Sequence, residues 1–537
     1  MSNRGMSTKI RSCFVRWCAL SILLLLYPIC LCAQTGPPPD FDAYIARVLS
    51  TFDVPGLAVA IVKDGKVALV KGYGVRKLGV STPVDDHTLF AIGSNTKAFT
   101  AAALATLVDD GKIAWDDRVW ERMPGFRMYD PYVSEEMTIR DLLTHRSGLG
   151  LGEGDLLFWP HTTFTRNEIV YRLRFMKPVS SFRSRFAYSN LMYIAAGQVI
   201  LAVTGKSWED YVRERIFTPL GMTTSNLNNT DWASGADYAW PHIRLDGKLQ
   251  AIGFVSEESW APAGSINSSA AEMAKWVLLQ LNHGKFPDRE GHLFSEQCAA
   301  EMWSPQTIAP ARNPPFMPAA TAKPNFAAYG LGWGLRDYRG HMQIGHSGAV
   351  AGFVSRVQMV PDERLGVVIL TNAEEEGALD SIAYHVIDYY LNLPLTDWIK
   401  IIKAAKADEE RHAADAMKQQ TASRAANSTP SLPLAEYAGT YKDSWYGSST
   451  IKMDNGKLTF TLDHTSEATG DLEHWQYDTF KIHWRVPSIE DAFVTFALKA
   501  DGTIDHFTML PVSPLADFSF DYQDLYFTPV AGAGHKK

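Results

Sequence analysis

Two hairpin signatures, far apart in a chain of 537 residues, constrain the fold more than any other feature. Gly56–Val75 reads as the strands GLAVAIV and KVALVKGYGV, joined at Lys63-Asp64-Gly65, a sequence suited to a tight turn. Gly352–Asn372 repeats the pattern, with FVSRVQMV and LGVVILTN on either side of Pro361-Asp362-Glu363-Arg364. Helical and loop sequence fills the interval between them. Apolar strands of this kind need partners for their backbone groups. The pattern therefore predicts one antiparallel sheet built from both ends of a domain, flanked by helices, with the middle forming a helical subdomain. That is an α+β layout.

The stretch after Gly93 carries Phe99, Ala102, Ala103, Leu104 and Leu107 and ends at Asp109-Asp110-Gly111, with Gly111 placed to terminate a helix. Further helices are predicted at Glu168–Phe175, Ala195–Val203, Leu379–Leu393, and Ala270–Leu281 behind the capping sequence Asn267-Ser268-Ser269. This main domain spans residues 34–397. Residues 398–431 read as a charged, helical connector that breaks at Asn427-Ser428-Thr429-Pro430-Ser431. In residues 432–530 the texture changes to short alternating runs (TIKM, KLTFTL, TFKIHW, FVTFAL) separated by Asp454-Asn455-Gly456 and Asp501-Gly502. This predicts a small all-β barrel.

Residues 1–33 stand apart. Arg4, Lys9, Arg11 and Arg16 precede the apolar run Cys18–Ile29, and Leu31-Cys32-Ala33 follows as a small-residue processing site. That is the pattern of a secretory signal peptide and predicts a periplasmic or secreted protein with no membrane span in the mature chain, the alternative being a segment retained as a membrane anchor. Four of the five cysteines lie there, leaving Cys298 alone, so no disulfide framework is expected. Removing four positive and no negative charges takes the net charge from −8 to −12. An acidic chain without a basic run is a poor nucleic-acid binder. There is no H-E-x-x-H, the histidines are scattered, and no cofactor is implied.

Three short motifs then follow in order: Ser94-Asn95-Thr96-Lys97, Tyr188-Ser189-Asn190 and His346-Ser347-Gly348. In the first, a serine at the start of a helix has a lysine one turn on, which places hydroxyl and amine on one face. A serine hydroxyl is a poor nucleophile until a base takes its proton. Lys97 serves as that base only if burial or nearby positive potential lowers its pKa. Gly345-His346-Ser347-Gly348-Ala349 also nearly spells the nucleophile elbow of another hydrolase fold, but a strand-like run follows it where a helix should.

With these motifs, residues 40–395 resemble the penicillin-recognising serine hydrolases, closest to the class C β-lactamase and D-alanyl-D-alanine carboxypeptidase type with its esterase and D-amino-acid peptidase members. Asp141–Leu149 (DLLTHRSGL), Pro262-Ala263-Gly264-Ser265 and Tyr329-Gly330-Leu331-Gly332-Trp333 support it. The resemblance implies Ser94 as nucleophile, Lys97 as its base, and Tyr188, partly as phenolate, as the proton shuttle. It implies that Asn190 holds the substrate amide and orients Lys97, and that the amides of Ser94 and Ala349 form the oxyanion hole. Gly348 lets the strand backbone approach the ligand. His145 reads as structural, and Arg183 and Arg185 as a solvated pair. Tyr329 and Trp333 read as cleft walls or core.

His346 stands where the β-lactamases of this family carry lysine. A histidine is only partly charged near neutral pH and serves a substrate carboxylate poorly. The expected activity is cleavage of an ester or small peptide amide, a D-amino-acid peptide among them, through an acyl-enzyme. The alternatives are a class C-like β-lactamase and a non-catalytic penicillin-binding or sensor protein. A small molecule or short peptide is the expected partner. The terminal module resembles the lipocalin-like barrel appended to some members. Its aromatics (Trp445, Tyr446, Trp475, Tyr477, Trp484) either line a ligand cavity or fill the barrel, unless the module caps the cleft.

Overall fold

The fold is described from a computed structural model covering residues 36–227, 237–245, 247–255, 258–311 and 324–530. The expected signal peptide lies outside the described residues. Among the described residues, no helix is long and apolar enough to cross a membrane.

The two hairpins join as their sequences require. Strands β1 (Gly56–Lys63) and β2 (Lys66–Gly74) turn at Asp64-Gly65, both at positive φ. Six more strands complete the sheet: β3 (Thr307–Ala309), β4 (Ala327–Tyr329), β5 (Gly334–Tyr338), β6 (His341–Val350), β7 (Phe353–Val360) and β8 (Leu365–Thr371). The order is β2-β1-β8-β7-β6-β5-β4-β3, antiparallel at every pair. β1 pairs with β8 from Leu57 opposite Thr371 to Lys63 opposite Leu365. Chain entry and chain exit thus meet in the middle of one sheet.

β1 is apolar at nearly every position because both of its faces are covered. Leu57, Val59 and Ile61 pack against α1 (Phe41–Phe52) and α5 (Glu376–Tyr390), while Ala58, Ala60 and Val62 face the opposite core. That second core holds α2 (Thr96–Asp109), α3 (Asn190–Thr204) and α4 (Ala270–Leu281). α2 is buried on all sides, which is why its sequence is Ala-rich and lacks an amphipathic stripe. Trp276 of α4 stacks on its Phe99 at 3.9 Å.

α6 (Trp398–Ala422) is more than a connector at its start. Trp398, Ile399 and Ile402 are buried with α1 and α5, and Trp398 Nε1 donates to Asp388 at 2.9 Å. Beyond it, β9 (Gly439–Lys442), β10 (Ser448–Asp454), β11 (Lys457–Leu462), β12 (Thr465–Gln476), β13 (Thr479–Trp484), β14 (Ala492–Leu498), β15 (Ile504–Pro511) and β16 (Tyr526–Pro529) close into a barrel. Phe460, Phe480, Phe496, Phe507 and Tyr441 are buried and stacked edge to face within it. Of the expected lining aromatics, Trp445, Tyr446 and Trp484 are buried, whereas Tyr477 is exposed on the surface.

The barrel packs on the helical side of the main domain. Arg172 donates to Trp445 O at 2.6 Å, and the His464 ring stacks on Phe164 at 4.0 Å. The segment after β15 runs back to the cleft: Asp521 accepts from the amides of Gly154 (2.6 Å) and Leu156 (3.0 Å).

Candidate active site

Gly93–Asn95 forms a single 3-10 turn that leads into α2. Its neighbours lock it. Asn95 Nδ2 donates to Ser355 Oγ on β7 at 2.7 Å, and Thr96 Oγ1 accepts from the Ile266 amide at 3.1 Å. With these two side chains turned into the protein, Ser94 faces the cleft half-buried, and Lys97, one turn on, is fully buried beneath it.

Lys97 Nζ has three oxygen neighbours: Asn190 Oδ1 at 2.7 Å, Ala263 O at 2.8 Å and Ser94 Oγ at 2.8 Å. Burial pulls its pKa down to about 7, and Asp155 opposes that fall. A neutral amine has two N–H bonds and one lone pair. The amide and carbonyl oxygens can only accept, so they take the two hydrogens. The lone pair then points at the one neighbour that can donate, the Ser94 hydroxyl.

Tyr188 precedes α3 and its hydroxyl hydrogen-bonds with Ser94. Burial drives its pKa well above the ordinary tyrosine value, so it stands as a phenol. The expectation of partial phenolate is corrected here. It needs a permanent ammonium alongside, and burial leaves Lys97 titrating near 7.

His145 presses on the Tyr188 ring at 4.2 Å and accepts the Ser189 amide on Nδ1 at 3.1 Å. Earlier in the same loop, Asp141 is a buried carboxylate held by Arg146 at 2.7 Å and Arg183 at 2.6 Å. Arg183 is thus an anchor for this loop, and the solvated-pair reading is corrected for it. Trp333 is fully buried core.

His346 lies on β6. Its Nδ1 faces the Ser347 carbonyl at 2.5 Å, so that nitrogen carries the proton, and Nε2 accepts from the Tyr329 hydroxyl at 2.8 Å. Burial and the nearby Lys97 push its pKa down to about 3. It is a neutral imidazole and supplies no charge to a ligand. Gly345–Ala349 runs inside this strand, which removes the nucleophile-elbow alternative.

The backbone of β6 lies directly against the Gly93–Asn95 turn. A Cβ on Gly348 would sit 1.9 Å from Ile92 O and 2.8 Å from Ser94 N, and one on Gly93 would sit 2.7 Å from Ala349 N. The amides of Ser94 and Ala349 therefore belong to two facing segments that only glycine lets approach. Gly348→Ala must push them apart by more than 1 Å. Displacement on that scale is expected to cut turnover about 100-fold, measured as kcat with chain integrity checked by circular dichroism. Turnover within threefold of wild type would contradict the fit.

The structure thus brings Ser94, Lys97, Tyr188, Asn190, His346, Gly348 and Ala349 to one place. Cys298 lies elsewhere, buried beside Asp109 with its thiol pushed up to about 11. Three residues were not anticipated. Asp155 accepts from Asn190 Nδ2 at 2.8 Å, Ser519 Oγ donates to Asp155 at 2.9 Å, and the Phe518 ring meets Tyr188 at 5.9 Å. The last two come from the C-terminal domain, so that domain does reach the cleft. Their one trace in the sequence is Gly152, where a Cβ would lie 2.6 Å from Phe518 O.

The Beta-lactamase family matches residues 41–391, and a domain of unknown function, DUF3471, matches residues 423–529. A relative from Aspergillus campestris, described as unguisins hydrolase ungD', is 31% identical over 463 residues, covering 81% of this chain and 82% of its own. Protein flp of Staphylococcus aureus is 27% identical over 63% of each chain. Among solved structures, the octameric penicillin-binding protein homologue from Pyrococcus abyssi shares the fold with a TM-score of 0.58 at 22% identity, over 91% of this chain and 99% of that one. The cleft and these similarities lead to one conclusion: the chain belongs to the Beta-lactamase family of serine hydrolases.

Proposed function

We propose that this protein is an exported hydrolase that cleaves an ester or a small peptide amide, D-amino-acid peptides included, through an acyl-enzyme on Ser94. The observation that carries the proposal is the Ser94 Oγ to Lys97 Nζ contact of 2.8 Å, with both other neighbours of that amine fixed acceptors. In the first step, Oγ attacks the substrate carbonyl while Lys97 takes the hydroxyl proton. The amides of Ser94 and Ala349 receive the negative charge that develops on the carbonyl oxygen. Tyr188, a phenol in hydrogen-bond contact with Ser94, passes a proton to the leaving oxygen or nitrogen and is recharged from Lys97. Water then attacks the acyl carbonyl by the same groups in reverse, and Ser94 is restored. Because Lys97 must be neutral to start, kcat/KM is expected to rise with pH around a midpoint near 7.

The neutral His346 supports neutral esters and amides over carboxylate-bearing substrates, β-lactams among them, since it leaves a substrate carboxylate without a cation at the strand. The similarity to a protein described as a hydrolase fits turnover better than a silent sensor. Export rests on the basic and apolar pattern of residues 1–33.

Short-chain aryl esters, a D-amino-acid peptide amide without a free carboxylate and a chromogenic cephalosporin, assayed side by side, test the proposal. Turnover of an ester or a peptide well above that of the cephalosporin is expected. Fast cephalosporin turnover with neither of the others would overturn it. His346→Lys should raise kcat/KM for carboxylate-bearing substrates about tenfold relative to neutral esters. An unchanged ratio would refute the role given to charge at this position.

A further inference from the structure

Asp155 is a fully buried carboxylate that no Lys or Arg touches among the described residues. Both of its hydrogen bonds are on Oδ2, from Asn190 and Ser519, and Oδ1 has no partner. Burying such a group is costly unless the site uses it. What it faces shows the use. Asn190 presents its Oδ1 to Lys97 and its Nδ2 to Asp155. Burial pushes its pKa up to about 7, so above that pH, where Lys97 is neutral too, it is a carboxylate that accepts only and selects the amide orientation that turns the carbonyl oxygen towards the lysine. The reversed amide would set N–H against N–H and displace Lys97 from Ser94.

The C-terminal domain holds Asp155 in turn. Ser519 donates to it, and Asp521 grips the amides of Gly154 and Leu156 on either side of it. Phe518, next to Ser519, reaches Tyr188 over a backbone that only Gly152 leaves open. An unbroken chain of side chains therefore runs Ser519, Asp155, Asn190, Lys97, Ser94, from one domain to the reactive hydroxyl of the other.

We infer that Asp155 and Ser519 are positioning residues for catalysis, and that the segment Asp517–Asp521 of the C-terminal domain is a working part of the active site. The inference rests on Ser94 being the nucleophile. It assigns a task to the terminal domain: the lysine is correctly held only while that segment is docked. It also gives Asp155 an electrostatic role: burial pushes its pKa up to about 7, and once ionised its negative charge raises the Lys97 pKa against the effect of burial. The other titratable groups around this pair are His145, His346, Tyr188 and Tyr193 from the main domain, and Asp517 and Asp521 from the C-terminal segment.

The test uses the full chain and a fluorophosphonate, which reacts with an activated serine, with the labelling rate followed across pH. Labelling of the wild type at Ser94 is required by the underlying reading; its absence would defeat that reading and this inference together. Given labelling, Ser519→Ala should slow the reaction about tenfold, and Ser519→Thr, which keeps the hydroxyl, should restore most of it. Asp155→Asn keeps the acceptor oxygen but loses the charge. It should move the acid-side midpoint down by about one pH unit, a shift that a purely structural role would not produce. Wild-type rates and an unmoved midpoint in Ser519→Ala and Asp155→Asn, with Ser94 still labelled in the wild type, would overturn the inference. If Asp155→Asn fails to fold, the Ser519 pair decides: equal rates for the Ala and Thr variants refute it, and loss with rescue supports it.

Discussion

Ser94→Ala is expected to lower kcat by at least about ten-thousandfold, a loss of roughly 5 kcal/mol of transition-state stabilisation. The acyl-enzyme route has no second nucleophile to fall back on. The other candidates lack activation: among the described residues no base is hydrogen-bonded to the Ser347 hydroxyl, and the Cys298 thiol is buried away from the cleft with its pKa pushed up to about 11. What remains in the variant is the oxyanion hole and substrate binding, which accelerate water attack only weakly. The fold should survive, because Lys97 keeps the Asn190 and Ala263 oxygens as partners. The measurement is kcat on the best ester or peptide, with thermal unfolding as the control. A residual rate within tenfold of wild type would remove Ser94 from the mechanism.

Lys97→Met is expected to cost about a thousandfold or more in kcat, because the base is gone while the hydroxyl remains. Its effect on stability should depend on pH in a defined direction. The folded-state pKa of Lys97 lies near 7, below the ordinary 10.5, because burial disfavours the ammonium. Between those values the unfolded chain binds the extra proton. The wild-type lysine therefore destabilises the fold most below pH 7, and the penalty fades as pH rises towards 10.5. Methionine carries no such penalty, although it leaves Asn190 Oδ1 and Ala263 O without their donor, at about 1–3 kcal/mol each. The Tm of the variant minus that of wild type should accordingly be highest below pH 7 and fall as the pH is raised to 9. A flat difference would mean that Lys97 is an ordinary ammonium and not a poised base.

Much of this architecture is legible in the sequence because it is carried by local signals. The two hairpins announce their turns at Asp64-Gly65 and Pro361–Arg364, and β1 and β8 read as near-continuous apolar runs because both of their faces are covered. Ser94, Lys97, Tyr188, Asn190 and His346 sit at fixed spacings on helix starts and one strand, so motif and element agree. What escapes the sequence is contact between distant segments. Nothing local marks Asp155 or Ser519, which are separated by 364 positions and joined by one hydrogen bond. The protonation states escape for the same reason. Tyr188 and His346 are neutral through burial by the whole fold, and no motif encodes burial. Arg183 reads as a surface cation until Asp141, 42 positions away, is seen to hold it.

The most direct measurement of the Ser94–Lys97 mechanism is the site of covalent capture. The full-length protein is incubated with a fluorophosphonate and, separately, with a fluorescent penicillin, then digested and mapped by mass spectrometry. The predicted result is a single fluorophosphonate adduct on the peptide carrying Ser94, formed faster as pH rises through 7 and absent from Ser94→Ala. An adduct on Ser347 or Cys298, or no adduct on a protein that still turns over esters or peptides, would contradict it.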